Sequence, residues 1–308
     1  MTIGSPTFLR TLIALVAILA VPIAGANCQE LEPRSYTNTP VGLNFLLLGY
    51  GYSDGNVVFS ASTPIEGAEV QTHAAVLAYL RSVKIWDLSS KIGVVVPYAW
   101  SSGSALAMGQ PRSRDVSGFG DPRFRIAVNF FGAPPLTMEE FKTYKQDIIV
   151  GGTLEVTAPL GQYDSSKLLN IGTNRWSIKP EIGISKALGR LTLELSTAVT
   201  IFTRNDDFLG GQTFEQAPLY SAQGHIVYEF LPGLWGALDA TYYTGGRTTT
   251  NGIDGERQEN ARAGITLSFP VNRYNSIKLY GSSGFYSRTG TDFDALGIAL
   301  QVRWGGGL

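Results

Sequence analysis

From about residue 41 to its end, the chain alternates apolar and polar positions in blocks of roughly ten residues, each closed by a break rich in Gly, Asn, Asp, Pro and Ser. A period of two belongs to strands, whose successive side chains point to opposite faces. In the last block Leu296, Ile298, Leu300, Val302 and Trp304 share one face, while Gly297, Ala299, Gln301 and Arg303 share the other. The same split sets Ala263, Ile265, Leu267 and Phe269 against Arg262, Gly264, Thr266 and Ser268, and Leu191, Leu193 and Leu195 against Thr192, Glu194 and Ser196. The blocks predict about twelve strands, an even number as in single-chain bacterial barrels, near residues 41–52, 68–82, 90–100, 119–131, 147–158, 175–186, 190–202, 219–230, 234–244, 261–269, 276–286 and 294–304.

The breaks between blocks alternate as well. Short ones at 187–189, 231–233 and 270–275 interleave with long polar ones at 101–118, 160–174, 203–218 and 245–260. That asymmetry is the short-turn, long-loop pattern of outer-membrane barrels, whose long loops face outside. The connection 132–146 departs from it by being long on the short-turn side, and residues 138–144 are expected to form a helical turn there. Sorting the apolar-face aromatics by height puts Tyr98, Trp176, Tyr220, Tyr242 and Phe285 near the outer ends and Phe130, Phe230, Phe269 and Trp304 near the periplasmic ends. Two such girdles match the two membrane interfaces. A soluble β-sandwich or β-helix would also alternate, but it would hide its oily face in a core and has no reason to ring both strand ends with aromatics. The fold expected is therefore all-β: a transmembrane, antiparallel, up-and-down β-barrel of about twelve strands.

The N-terminus adds an address. After Arg10, residues 11–23 are continuously apolar, and Ala24-Gly25-Ala26 supplies small residues of the kind found before a signal-peptidase cut. The run is shorter than the ~20 residues a membrane helix needs. The expected organisation is a cleavable signal peptide over 1–26, a periplasmic segment over 27–40, the barrel over 41–304 and a tail over 305–308. Cys28 is the only cysteine, so no internal disulfide staples the chain, and Asn27 before it disfavours lipidation. A formal net charge of −1 with no Lys/Arg cluster argues against nucleic acid as a partner. The partners expected are outer-membrane lipid, the outer-membrane assembly machinery and a small-molecule solute, for a monomer in the outer membrane of a Gram-negative cell.

The polar face collects candidate lumen-lining residues of both signs: Arg123, Arg125, Glu155, Lys179, Glu181, Glu194, His225, Glu229, Asp239, Arg262, Lys278 and Arg303. Such a wall either lines a water-filled path or forms a salt-bridged filling, and the residues alone leave both open. Trp235, Tyr243, Tyr280 and Tyr286 on the same face are suited to contact apolar solutes or to fill space. An enzyme is not expected. His73 and His225 are the only imidazoles, neither stands in a His-x-Ser arrangement, and no paired Asp-His motif is evident. The loop groups Asp206-Asp207, Asp254/Glu256 and Asp292/Asp294 lack the spacing of a dedicated calcium loop, so neither a metal nor a cofactor is expected.

Several stretches carry a family likeness: Gly118-Phe119-Gly120-Asp121-Pro122, Pro159-Leu160-Gly161-Gln162-Tyr163-Asp164, Asn170-Ile171-Gly172-Thr173-Asn174-Arg175-Trp176 and Lys179-Pro180-Glu181. Further ones are Asn205-Asp206-Asp207-Phe208, Pro218-Leu219-Tyr220-Ser221, Leu238-Asp239 with Gly245-Gly246, and Asp292-Phe293-Asp294. In order and number they resemble the outer-membrane transporter family associated with the meta-cleavage pathway of phenol degradation, over nearly all of the mature chain. The resemblance implies a channel or transporter giving passive or facilitated passage to small molecules, aromatic or hydrophobic ones included, and it brings no catalytic residues. The alternatives are a non-conducting structural or surface-binding barrel with a plugged lumen and, behind that, an outer-membrane hydrolase. Barrels of this kind commonly end on an aromatic residue, whereas here Trp304 is followed by Gly305-Gly306-Gly307-Leu308.

Overall fold

Residues 32–58, 65–107 and 109–308 are described by a computed structural model. The expected signal peptide and Cys28 lie outside them. The barrel staves are β1 (Leu43–Val58), β2 (Ile65–Ile85), β3 (Leu88–Ala107), β4 (Gln110–Phe119), β5 (Arg123–Phe131), β6 (Ile148–Thr157), β7 (Ser177–Leu188), β8 (Leu191–Phe202), β11 (Leu219–Leu231), β12 (Leu234–Gly245), β15 (Gln258–Pro270) and β16 (Asn275–Gly305). All neighbouring staves pair antiparallel, and the ring closes through β2 with β3 and through β1 with β16. Every stave except β4, which pairs only with β3 at the outer end, thereby has a partner on both edges, as lipid requires because it offers no hydrogen bonds.

The count of twelve holds, with two departures in how it is reached. The stave expected at 119–131 is interrupted at 120–122: β4 pairs with the outer half of β3, and β5 pairs with its inner half. Pro122 has no N–H for a ladder, and the Asp121 carboxylate is turned to the loops. The last two staves form one continuous element, β16, whose first half pairs with β15 and whose second half pairs with β1.

The outer ends also reach further than the alternation indicated. Residues 101–118, expected as a loop, are the β3–β4 hairpin, and β1 runs on to Val58. The loops at 203–218 and 245–260 fold into a separate four-stranded sheet of β9 (Asn205–Phe208), β10 (Gln212–Gln216), β13 (Thr248–Thr250) and β14 (Ile253–Asp254). Polar strands alternate just as well in water as in a membrane, so the end of the period marks no membrane boundary.

Exposure is inverted relative to a soluble protein. On β8, Leu195 is 59% exposed while its neighbours Glu194 and Ser196 are 7% and 9% exposed. The apolar face is the one turned to lipid, and the polar face lines the interior. The expected girdle residues Trp176, Tyr220, Tyr242, Phe285, Phe130, Phe230, Phe269 and Trp304 are all exposed, joined by Trp100, Phe119 and Phe131. This is an outer-membrane barrel. On the short-turn side the long connection carries the expected helical turn, α1 (Met138–Phe141), opened by a reciprocal cap in which Thr137 accepts from the Glu140 N–H and Glu140 accepts from the Thr137 N–H.

Candidate functional site in the barrel lumen

The register carries the sequence-predicted charges into rows around one side of the wall. Arg125, Glu155 and Lys179 are consecutive partners across β5, β6 and β7. Glu194, His225 and Asp239 are consecutive partners across β8, β11 and β12. Glu229 pairs with Trp235 on β12, and Lys278 lies over the Trp235 ring at 5.6 Å. Lys179 Nζ stands 3.9 Å from Glu181. Two predicted residues serve other ends of the barrel. Arg123 sits opposite Thr157 at the top of β5, and Arg303 donates to the Arg273 carbonyl at 2.7 Å, tying the periplasmic β15–β16 turn. Arg262 is 2% exposed, its guanidinium over the Phe293 ring at 3.5 Å and bonded to Ser282 Oγ.

The opposite side of the wall is apolar. Inward positions there hold Phe45 and Leu47 on β1, Val76, Ala78 and Leu80 on β2, and Val95, Pro97 and Ala99 on β3, with Gly297 and Ala299 of β16 beside them. These are the blocks where both strand faces read as apolar. Their second apolar face lines the interior, so the lumen has one oily wall and one charged wall.

Between the walls lies the described part of the 27–40 segment, which runs up inside the barrel. Ser82 Oγ donates to the Pro40 carbonyl, and Asn38 joins Ser89 Oγ to the Pro134 carbonyl. Above them Lys91 Nζ donates to the carbonyls of Ser35 and Thr37 at 3.0 and 2.9 Å. The Tyr36 hydroxyl donates to Glu181 Oε1 at 2.7 Å, and Asn129 Nδ2 donates to the Tyr36 carbonyl. The Arg34 N–H donates to Glu194 Oε2 at 2.6 Å, its guanidinium lies 5.4 Å from the Trp235 centroid, and Glu32 meets Arg125 in an ion pair. The segment thus crosses from β3 to β12 and spans the lumen. From below, the α1 connection clasps it where Val41 N–H donates to the Leu136 carbonyl at 2.8 Å, which accounts for that turn's unusual length.

Residues 51–301 match the family described as "Putative MetA-pathway of phenol degradation". The chain belongs to that family. Among solved structures it is similar to an outer membrane channel from Pseudomonas putida F1, with 22% identity over 89% of this chain and 100% of that one at a TM-score of 0.76. It is more distantly similar to the β domain of the Bordetella autotransporter BrkA, with 8% identity over 86% of this chain and 100% of that one at 0.51. The transport unit of the autotransporter AIDA-I from Escherichia coli matches with 9% identity over 96% and 97% of the chains, also at 0.51. No curated protein matches the chain.

Three of the stretches that carried the resemblance to the phenol-degradation family, 118–122, 159–164 and 170–176, meet around one carboxylate at the outer mouth. Asp121 Oδ1 accepts the Gly161 N–H at 2.9 Å, and Oδ2 accepts the N–H and Oγ1–H of Thr173 at 2.8 and 2.7 Å. A Cβ on Gly161 or Gly172 would fall 2.8 Å from the Asp121 nitrogen or 2.9 Å from the Gly161 carbonyl carbon, so both glycines are there for close backbone approach. Gln162 N–H reaches the Phe119 carbonyl, and Asn174 reaches Asn205, which in turn holds Tyr163. Arg175 lies over the rings of Phe202 and Phe214 at 4.3 and 4.9 Å, and burial pulls its guanidinium down to about 10. In this member of the phenol-degradation family these three stretches form a loop latch, positioned where the β4–β5 break frees Asp121.

Three features of the interior escaped the residue patterns. His225 Nδ1 lies 2.7 Å from Asp239 Oδ1, and Thr266 Oγ1 donates to Asp239 Oδ2, so an Asp–His pair exists although no motif announces it; register alone joins two residues fourteen apart. Lys91, on β3 beside the β5 end of the charged rows, was missed because an isolated lysine on a strand reads as ordinary polar surface. The inner segment carries no alternation at all, yet Gly151 and Gly183, side by side in mid-strand, signal a close approach by something. His73 lies on the outer face, bonded through Nδ1 to the Tyr50 hydroxyl at 2.6 Å. Among the acidic loop groups, Asp206 pairs with Arg204, Asp254 with Arg247 and Glu256 with Arg288.

Proposed function

We propose that this protein is a passive conduit for small molecules across the outer membrane, aromatic and hydrophobic ones included, closed in this conformation by its own N-terminal segment. The observation that carries the reading is the way residues 32–40 are held. Apart from the Tyr36 ring and its bond to Glu181, they meet the wall through hydrogen bonds and ion pairs to groups that water could serve equally well. A barrel filled only for stability would interdigitate its inward side chains, whereas here a separate segment does the closing. Withdrawing it would open a lumen with one apolar wall and one charged wall, suited to solutes with an oily body and a polar edge. The family's association with phenol degradation and the likeness to an outer membrane channel point the same way.

The same segment favours a second reading, a permanently closed barrel whose outer loops do the work. Conductance in planar bilayers separates the two. The full chain is expected to open rarely, and a variant lacking residues 32–40 to conduct steadily. If both stay silent and deleting the protein leaves aromatic uptake unchanged, the conduit reading fails.

A further inference from the structure

The way the wall receives Tyr36 reaches beyond plugging. Tyr36 is 3% exposed, and its ring lies against the facing glycines Gly151 of β6 and Gly183 of β7, which are register partners. A Cβ on Gly151 would stand 2.5 Å from Tyr36 Cδ1, and one on Gly183 would stand 2.8 Å from Cζ. The wall therefore has a flat slot of ring dimensions, made by omitting two side chains in mid-strand, where glycine is otherwise disfavoured. At the far end of the slot Glu181 accepts the phenolic hydrogen at 2.7 Å, and Lys179 stands beside that carboxylate. Ile149, wholly buried, and Ala133 close the apolar side. All of these groups except Ala133, which comes from the connection below, belong to the wall, and they meet the tyrosine side chain alone; the peptide backbone of the segment is held separately, by Asn129 and Lys91.

The side chain of tyrosine is a phenol carrying a para substituent. We infer that the seat of Tyr36 is a binding site for free phenolic solutes, which displace the segment by taking the place of its tyrosine. The inference rests on the reading of residues 32–40 as the closure of a conduit, and it names the solute class and the trigger. The hydroxyl donates to Glu181, the ring fills the glycine slot, and a small para group occupies the direction in which the tyrosine Cβ leaves. A ring without a hydroxyl fills the slot but leaves the buried Glu181 without its donor, so it competes poorly. Because Tyr36 is tethered, its effective concentration at the seat is of millimolar order or above, and a free phenol must reach a comparable level to displace it. The seat responds to abundant phenols and ignores traces.

The test uses full-length protein refolded in detergent micelles, with 4-fluorophenol as probe and 4-fluorotoluene as its hydroxyl-free counterpart, binding being read by fluorine NMR. Tyr36→Ala empties the seat and is expected to bind 4-fluorophenol at least tenfold more tightly than the wild type does, and tenfold more tightly than it binds 4-fluorotoluene. Adding Gly183→Ala refills the slot and should remove that binding. Should the double variant fail the heat-modifiable mobility check for a folded barrel, Glu181→Gln in the Tyr36→Ala background serves instead, and is expected to abolish the preference for the hydroxylated probe. Equal binding by the wild type and Tyr36→Ala, or binding indifferent to Gly183→Ala and Glu181→Gln, overturns the site. Bilayer recordings with 4-fluorophenol keep the two readings apart. Slot-dependent binding to a barrel that stays silent upholds the site and sinks the conduit, whereas a conducting barrel with no slot-dependent binding sinks the site and leaves the conduit standing.

Discussion

Glu32 on the inner segment and Arg125 on β5 form an ion pair across 93 positions of sequence, the highest point among the described residues at which the segment is fastened to the charged wall. Both side chains are partly screened, so the pair alone does not hold the segment; its value is as a handle on it. Glu32→Lys turns the attraction into repulsion and is expected to raise channel open probability about tenfold, equivalent to ~1.4 kcal/mol. Arg125→Glu added to it should bring the open probability back towards the wild-type value. Single-channel recording of the four members of the cycle checks this, and additive effects with no rescue would show that the pair does not couple segment to wall.

Asp121 gathers three donors from the loop between β6 and β7. Asp121→Ala should loosen the outer mouth by on the order of 3 kcal/mol while the staves stay paired, since bonds to an ionised acceptor are worth more than neutral ones. Amide exchange is expected to quicken at Gly161 and Thr173 and to stay slow in β7 and β8. Fast exchange spread through the staves would mean that the latch holds the barrel rather than the mouth.

Leu195 and Glu194 are neighbours on β8 facing opposite media. Leu195→Arg should cost about 2–4 kcal/mol of stability if that position lies near the bilayer midplane, with smaller costs for arginine nearer the girdles. Denaturant titration of the folded protein in vesicles measures it. A cost no larger than that of arginine placed in an outer loop would contradict the lipid-facing assignment.

In the loop between β6 and β7, hydrogen bonds from the Ser166 hydroxyl and N–H, with Arg114 at 3.5 Å, hold the Asp164 carboxyl below its ordinary value. For a depressed carboxyl, the stabilisation is complete above the unfolded value of 3.8 and is lost as pH falls through the lower folded one. Exchange protection at Ser166 should therefore persist through mildly acidic pH and collapse only at strongly acidic pH. Asp164→Asn should remove the pH dependence, and a loss already complete near neutral pH would assign it to another group.

The number of staves, the face each turns to lipid, the side on which the long loops stand and the two aromatic girdles were legible in the chain itself. The physical reason is that a membrane barrel must alternate along every strand and must place aromatics at both interfaces, so each local stretch repeats the global rule. The outer loops were less legible, because the β3–β4 hairpin and the β9, β10, β13 and β14 sheet fold in water, where alternation and turn residues carry no boundary. What fills the lumen was decided by tertiary structure alone. The pairing of His225 with Asp239, the rows of charge and the seat of Tyr36 between Gly151 and Gly183 are products of register around a closed ring. The segment 32–40 has no period of its own; it takes its path from bonds to β2, β3, β5, β7 and β8, and those donors and acceptors face one another only after the barrel has closed.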